Sequence, residues 1–102
     1  MGNFIKAVNA SDIPAGQGKV CDVQGKTVAV FNVNGQFCAI DNTCVHRGGP
    51  LGEGDLDGTV VTCPWHGWQY DVTTGVSPVN PAAKVRKFNC KIQGGDILVE
   101  VD

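Results

Sequence analysis

The sequence has no apolar run approaching the roughly 20 residues needed to span a bilayer, and only two histidines among its 102 residues. At the N-terminus no basic segment precedes an apolar stretch, so no secretory signal is expected. Lys6 stands where a myristoylation motif following Met1-Gly2 needs Ser or Thr. The expectation is a soluble cytoplasmic domain without a membrane anchor. Charge is also scarce: 18% of residues are charged and the formal net charge is −2. That is too small to suggest nucleic acid or an anionic membrane as a partner. The five cysteines are an odd number, which argues against a fully paired disulfide framework. In a reducing compartment, cysteines close to histidines are more often metal ligands.

What is abundant is glycine, at 14 residues, about twice the usual roughly 7%. Long helix-forming runs are few, so tight turns between short strands are expected. Asn3–Val8 reads as a first strand, and Ser11-Asp12-Ile13-Pro14 as a loop or single helical turn. Lys19–Val23 and Thr27–Val33 are β-branched runs. Asn34-Gly35 is the strongest hairpin signal, because both residues tolerate the positive φ of a type I′ turn. It should join Val28–Val33 to Gln36–Asp41.

From Asn42 to Gly58 the pattern lapses into a long loop, of a kind that is usually functional in small domains. Thr59–Thr62 reads as a strand, Cys63–Trp68 as a second loop, and Gln69–Asp71 as resumed extended chain. A third loop, Val76–Ala83, carries Pro78 and Pro81. Lys84–Gln93 alternates around Phe88, Cys90 and Ile92 as one strand. Gly94-Gly95 turns the chain into Asp96–Val101. Short strands punctuated by turns indicate an all-β antiparallel sandwich or barrel, in one domain spanning 1–102.

Two segments carry chemistry: Cys44-Val45-His46-Arg47-Gly48-Gly49 and Cys63-Pro64-Trp65-His66-Gly67-Trp68. Each supplies one thiol and one imidazole from a glycine-containing loop at the end of a strand. Glycines suit places where backbone must pass close to an inorganic core. Cys38 and Cys90, by contrast, sit in alternating strand patterns and read as core residues. A mononuclear zinc site is the alternative for the quartet. Zinc fingers, however, group a cysteine pair and then a histidine pair, whereas one of each per loop suits a binuclear centre with two cysteines on one iron and two histidines on the other.

Cys-x-His with a following glycine, sixteen intervening residues, then Cys-Pro-Trp-His-Gly-Trp-Gln-Tyr-Asp, resembles the Rieske-type 2Fe–2S ferredoxins over nearly the whole chain. The resemblance implies a Rieske-type sandwich whose cluster-binding part, about 42–83, is built from two ligand loops and a proline loop over the cluster. It implies Cys44 and Cys63 on an inner iron of one 2Fe–2S cluster, and His46 and His66 on an outer iron. Arg47, Gly48, Pro64, Trp65, Gly67, Trp68, Tyr70 and Pro81 would form the surroundings. Tyr70 matches the family position whose hydroxyl can donate to a ligand sulfur.

Departures narrow the branch. Rieske proteins of respiratory and photosynthetic complexes carry a bridging cysteine in each loop, and the matching positions here are Gly49 and Trp65. Those proteins also place a serine where Trp68 stands, removing a hydroxyl donor to the cluster. The branch implied is the soluble, bridge-less ferredoxin of ring-hydroxylating dioxygenase systems. Such a protein carries single electrons from a reductase to a terminal oxygenase and has no substrate chemistry of its own. A Rieske oxygenase needs a further mononuclear iron held by two histidines and a carboxylate, and both histidines are already assigned. Alternatives are a small Rieske subunit of a larger oxidoreductase, such as assimilatory nitrite reductase, or a redox-sensing module. Arg47, Glu53, Asp55 and Asp57 are candidates for a docking rim, with a merely solvated charged loop as the plainer explanation.

Fewer hydrogen-bond donors leave a reduced cluster less stabilised. The expected midpoint therefore lies in the lower part of the roughly −150 to +300 mV Rieske range. A redox titration with a strongly positive midpoint would contradict it.

Overall fold

The computed structural model describes residues 3–44, 48–65 and 67–101. Among them ten strands form three antiparallel sheets. The first sheet has the order β1-β10-β9, from β1 (Asn3–Asn9), β10 (Asp96–Val101) and β9 (Cys90–Gln93). The second has the order β2-β3-β4-β8, from β2 (Gly18–Val23), β3 (Lys26–Val33), β4 (Gln36–Asp41) and β8 (Lys87–Phe88). The third is a small meander of β5 (Asp55–Asp57), β6 (Val60–Thr62) and β7 (Gln69–Asp71).

The expected hairpin forms at Asn34-Gly35, with φ of 52° and 91°, the two positive values that a type I′ turn requires. Gln24-Gly25 repeats the device at 51° and 82°, between β2 and β3.

Strand β3 explains how the sheets assemble. Its residues Val28, Ala29, Val30 and Phe31 are all fully buried, and successive side chains point to opposite faces. Val28 and Val30 enter one core with Ile13, Val23, Phe88, Ile97 and Val99. Ala29 and Phe31 enter a second core with Ile40, Leu51, Val61, Tyr70 and Val72. A strand covered on both sides reads as a continuous apolar run rather than an alternation. The second sheet is thus the middle layer, with the first sheet on one face and the small meander on the other.

Two expectations need correction. The ordered 42–58 segment is not loop throughout, since Leu51–Glu53 forms a 3-10 turn and Asp55–Asp57 pairs with β6. Leu56 packs against the second core while its aspartate neighbours stay exposed, a three-residue alternation hidden among poor strand formers. Nor is Lys84–Gln93 one strand. It divides at Asn89, with β8 pairing to β4 and β9 to β10, so the segment passes from the middle sheet to the first. Lys84 contributes only an isolated bridge to Val76.

Cys38 is buried in the second core and Cys90 packs against the first, as expected for structural thiols. The Cys90 thiol donates to the Phe37 carbonyl at 2.8 Å. Burial is the main cause pushing its pKa up to about 11, so it behaves as an inert neutral group.

Phe31 is the largest β3 side chain in the second core, and Phe31→Ala should cost about 3–5 kcal/mol by lost transfer energy and cavity formation. Urea denaturation checks this; a cost below about 1 kcal/mol would show that the two-faced packing of β3 is not the keystone of the layers.

Candidate metal centre

The two cysteine loops leave the small meander and the middle sheet at the same end of the molecule, and their backbones follow one plan. The Cys44 N–H donates to the Gly49 carbonyl at 3.0 Å, and the Cys63 N–H to the Trp68 carbonyl at 2.6 Å, each five residues on. Gly48 and Gly67, each four residues after its cysteine, both have φ +73°, a conformation that glycine adopts without a Cβ penalty. The glycine spacing in the sequence is therefore a turn requirement, met twice.

The first loop is closed at its base by Asn42, a buried polar residue. Its carbonyl accepts from Leu51 N–H at 2.8 Å, and its side-chain oxygen accepts from Gly52 N–H at 2.8 Å. Thr43 and Pro50 form a bridge one step further out. The second loop is rooted in the pairing of Thr62 with Gln69. The third closes on itself, with Ser77 N–H donating to the Ala83 carbonyl at 2.9 Å and the Ser77 hydroxyl oxygen accepting from Val79 and Asn80 N–H.

Both loop thiols are buried and unbridged, with Cys44 1% and Cys63 2% exposed. They lie within hydrogen-bonding reach of one another. Burial is the main cause holding the Cys63 pKa above its ordinary value; the Trp65 N–H works against it, and the neighbouring Cys44 adds to it. The Trp65 N–H donates to Cys63 Sγ at 3.4 Å, and the Tyr70 hydroxyl, fully buried, stands 3.4 Å from Cys44 Sγ. Each sulfur therefore has a polar hydrogen beside it.

Gly49, buried, lies against Cys63 and Trp65. A Cβ built there would lie 2.6 Å from Cys63 Sγ and 3.1 Å from Cβ and Cγ of Trp65. The two positions that carry cysteines in bridged relatives of the motif thus face each other here as glycine and tryptophan.

His46, Arg47 and His66 lie outside the described residues. Of the other residues singled out in the sequence, Gly48, Pro64 and Gly67 are exposed, and Trp65 is 51% exposed. Trp68 is half-buried against the second core. The third loop stands beside the second, across a cleft lined by Gly67, Trp68, Gln69, Ser77, Val79 and Asn80. Pro81 is exposed, and Val79 and Asn80 occupy the face of that loop toward the ligand segment. Asn42 and Ser77 escaped the sequence reading, because an isolated Asn or Ser in a loop carries no pattern.

The arrangement fits an iron–sulfur cluster. It offers two soft donors side by side in a dry site, hydrogen-bond donors aimed at the sulfurs, and no Cβ where backbone passes closest. The Rieske [2Fe-2S] domain family matches residues 3–89. The chain belongs to that family. Its fold and its 2Fe–2S cofactor follow from that membership.

The ferredoxin component of the naphthalene 1,2-dioxygenase/salicylate 5-hydroxylase systems of a Ralstonia species is 32% identical, over 98% of this chain and 97% of its own length. The biphenyl dioxygenase ferredoxin subunit of Pseudomonas sp. strain KKS102 is 35% identical, over 95% and 91%. A chain in the complex of reduced oxygenase and oxidized ferredoxin of carbazole 1,9a-dioxygenase superposes with a TM-score of 0.86. It is 33% identical, over 95% of this Rieske chain and 92% of that chain.

Gly49→Ala should push the Cys63 loop away without backbone strain, since Gly49 lies outside the left-handed region. Displacing a close neighbour of a metal site typically weakens it about 10- to 100-fold. Iron and sulfide content after chelator challenge checks this, and full retention at the wild-type rate would contradict it.

Proposed function

We propose that the protein is a one-electron carrier that takes electrons from a reductase and delivers them to a terminal oxygenase. The observation that carries this is the pair of adjacent, buried, unbridged thiols, in a chain that matches dioxygenase ferredoxin components over nearly their full length. Cys44 and Cys63 would hold one iron of the cluster, and His46 and His66 the other. The whole chain would act as a single Rieske unit, with residues 42–83 forming the cluster-binding part. The 2Fe–2S cluster supplies reversible one-electron chemistry when bound.

The chain's own residues set the conditions for it. Burial of Cys44 and Cys63 keeps water from the sulfurs, and the meander and Leu51 wall the site toward the middle sheet. The Trp65 N–H donates to the Cys63 sulfur, and the Tyr70 hydroxyl stands where it would donate to Cys44 as a thiolate; such donors favour the more electron-rich state. Gly48, Pro64, Gly67 and the exposed indole of Trp65 leave the loops open at the outer surface, where a partner must approach. Arg47, Trp68 and Pro81 complete the proposed surroundings.

The complex of oxygenase with ferredoxin known for the carbazole system supports an oxygenase as the acceptor. Among the described residues no helix is long and apolar enough to cross a membrane; a cytoplasmic location is the proposal that accompanies it.

The direct test is to mix the dithionite-reduced protein, anaerobically, with the oxygenase component of the Ralstonia naphthalene system and follow its reoxidation. Stoichiometric one-electron transfer is expected, and a reducible protein that passes no electron to any dioxygenase oxygenase would contradict the carrier role. Tyr70→Phe should keep the cluster and lower the midpoint. Each 1 kcal/mol of lost preference for the reduced state corresponds to about 40 mV for a one-electron couple. An unchanged or raised midpoint would show that the hydroxyl does not donate to Cys44.

A further inference from the structure

Among the described residues three polar side chains are buried: Asn32, Asn42 and Ser77. Asn32 serves the β3–β4 hairpin, its Nδ2 donating to the Ile13 carbonyl at 2.8 Å and its Oδ1 accepting from Gly35 N–H at 2.7 Å. Ser77 closes the third loop upon itself. Asn42 differs, because its hydrogen bonds tie together segments that are distant in sequence. Its N–H donates to the Thr27 carbonyl of β3 at 3.2 Å, and its Oδ1 accepts from Gly52 N–H at 2.8 Å. Its carbonyl accepts from Leu51 N–H, also at 2.8 Å.

Those bonds enclose the first cysteine loop. Within them lie the Thr43–Pro50 bridge, then Cys44 N–H on the Gly49 carbonyl and Gly48 N–H on the Cys44 carbonyl. Thr43 N–H is held as well, on Asp41 Oδ1 at 2.9 Å. Two of the Asn42 bonds are main-chain bonds, which almost any residue at position 42 makes. The bond to Gly52 is different, since it needs a side-chain acceptor of suitable length. Gly52 is buried and seated on β2: a Cβ there would lie 2.7 Å from Val20 Cγ2 and 2.9 Å from Val20 N. Its buried N–H needs an acceptor, and Asn42 supplies one without burying a charge. The loop that carries Cys44 is thus referenced to β2 through Gly52 and to β3 through Thr27. It is referenced also to β4, which ends one residue before Asn42.

We propose that Asn42 is a positioning residue for Cys44. Its side-chain oxygen, bonded to Gly52, keeps the first loop in one conformation whether or not the centre carries the extra electron. This rests on the reading of Cys44 as a cluster ligand. A metal-binding constellation is held to within about 0.5 Å by supporting residues whose own rotamers are locked. Asn42, buried and bonded through both backbone and side chain, is locked in that sense. Its bonds are separate from the contact between Cys44 and Tyr70, so it acts on the place of the loop and not on the charge of the sulfur.

The test compares wild-type holoprotein with Asn42→Leu, of similar size but without an acceptor, and with Asn42→Asp, which keeps one. Asn32→Leu controls for the general cost of losing a buried asparagine, since its partners Ile13 and Gly35 belong to neither cysteine loop. The readouts are the rate of cluster bleaching under a chelator and the EPR linewidth of the dithionite-reduced protein, which reports the spread of cluster geometries. Asn42→Leu should lose the cluster at least about tenfold faster and broaden the signal. Asn42→Asp should return both towards wild type, and Asn32→Leu should leave the linewidth unchanged. Should Asn42→Leu not fold, Asn42→Ser, whose hydroxyl stops short of Gly52, carries the same expectation. Wild-type lability and linewidth in the folded Asn42→Leu or Asn42→Ser protein overturn the positioning role alone. So does broadening of equal size in Asn32→Leu, or an Asn42→Asp protein as labile as Asn42→Leu. Wild-type protein that takes up no iron overturns the cluster reading, and this inference with it.

Discussion

Two thiols from loops nineteen residues apart must stand side by side in a dry site, and most of the molecule follows from that demand. Cys44 and Cys63 belong to the second core as fully as Val61 or Ile40 does. Sulfur buried there is tolerable because it is soft and weakly polar, and because the Trp65 amide donates to Cys63 while the Tyr70 hydroxyl lies within hydrogen-bonding reach of Cys44. Holding the pair in register takes two loops of equal construction, each closed by a cysteine N–H to a carbonyl five residues on and turned by a glycine at φ +73°. The absence of a Cβ at Gly49 is part of the same demand.

The middle sheet turns this local geometry into a stable fold. Because β3 is buried on both faces, one core secures the scaffold while the other carries the two cysteine loops. Asn42 then links the last strand of the scaffold to the first loop through its own side chain and carbonyl. The site is thus built on strands, which fix position better than free loops. The outer surface, with the exposed Trp65, is left to partners.

The cofactor was legible in the sequence, because one thiol and one imidazole per glycine-bearing loop is a rare pattern with a chemical reason; of its candidate ligands the structure brings Cys44 and Cys63 together, while His46 and His66 lie outside the described residues. The Asn34-Gly35 turn was legible on steric grounds alone. The extended segment at Asp55–Asp57 was not, since a lone Leu56 between aspartates gives no periodicity to read. The division at Asn89 was equally hidden: alternation around Phe88, Cys90 and Ile92 continues unbroken, while the pairing partner changes from β4 to β10. The meeting of Lys26, Asp41 and Arg86 at one depression is the clearest case, because Lys26 and Arg86 are sixty residues apart and come together only through the β3–β4–β8 pairing. Patterns local in sequence survive being read there; relations created by strand order do not.

The central claim is that Cys44, Cys63, His46 and His66 jointly hold one 2Fe–2S cluster. Metal and acid-labile sulfide analysis, combined with the EPR spectrum of the reduced protein, tests it most directly. The account predicts two irons and two sulfides per chain and a rhombic signal with the lowered g-average of mixed histidine–cysteine ligation. Zinc without iron, or the g-average of an all-cysteine cluster, would contradict it.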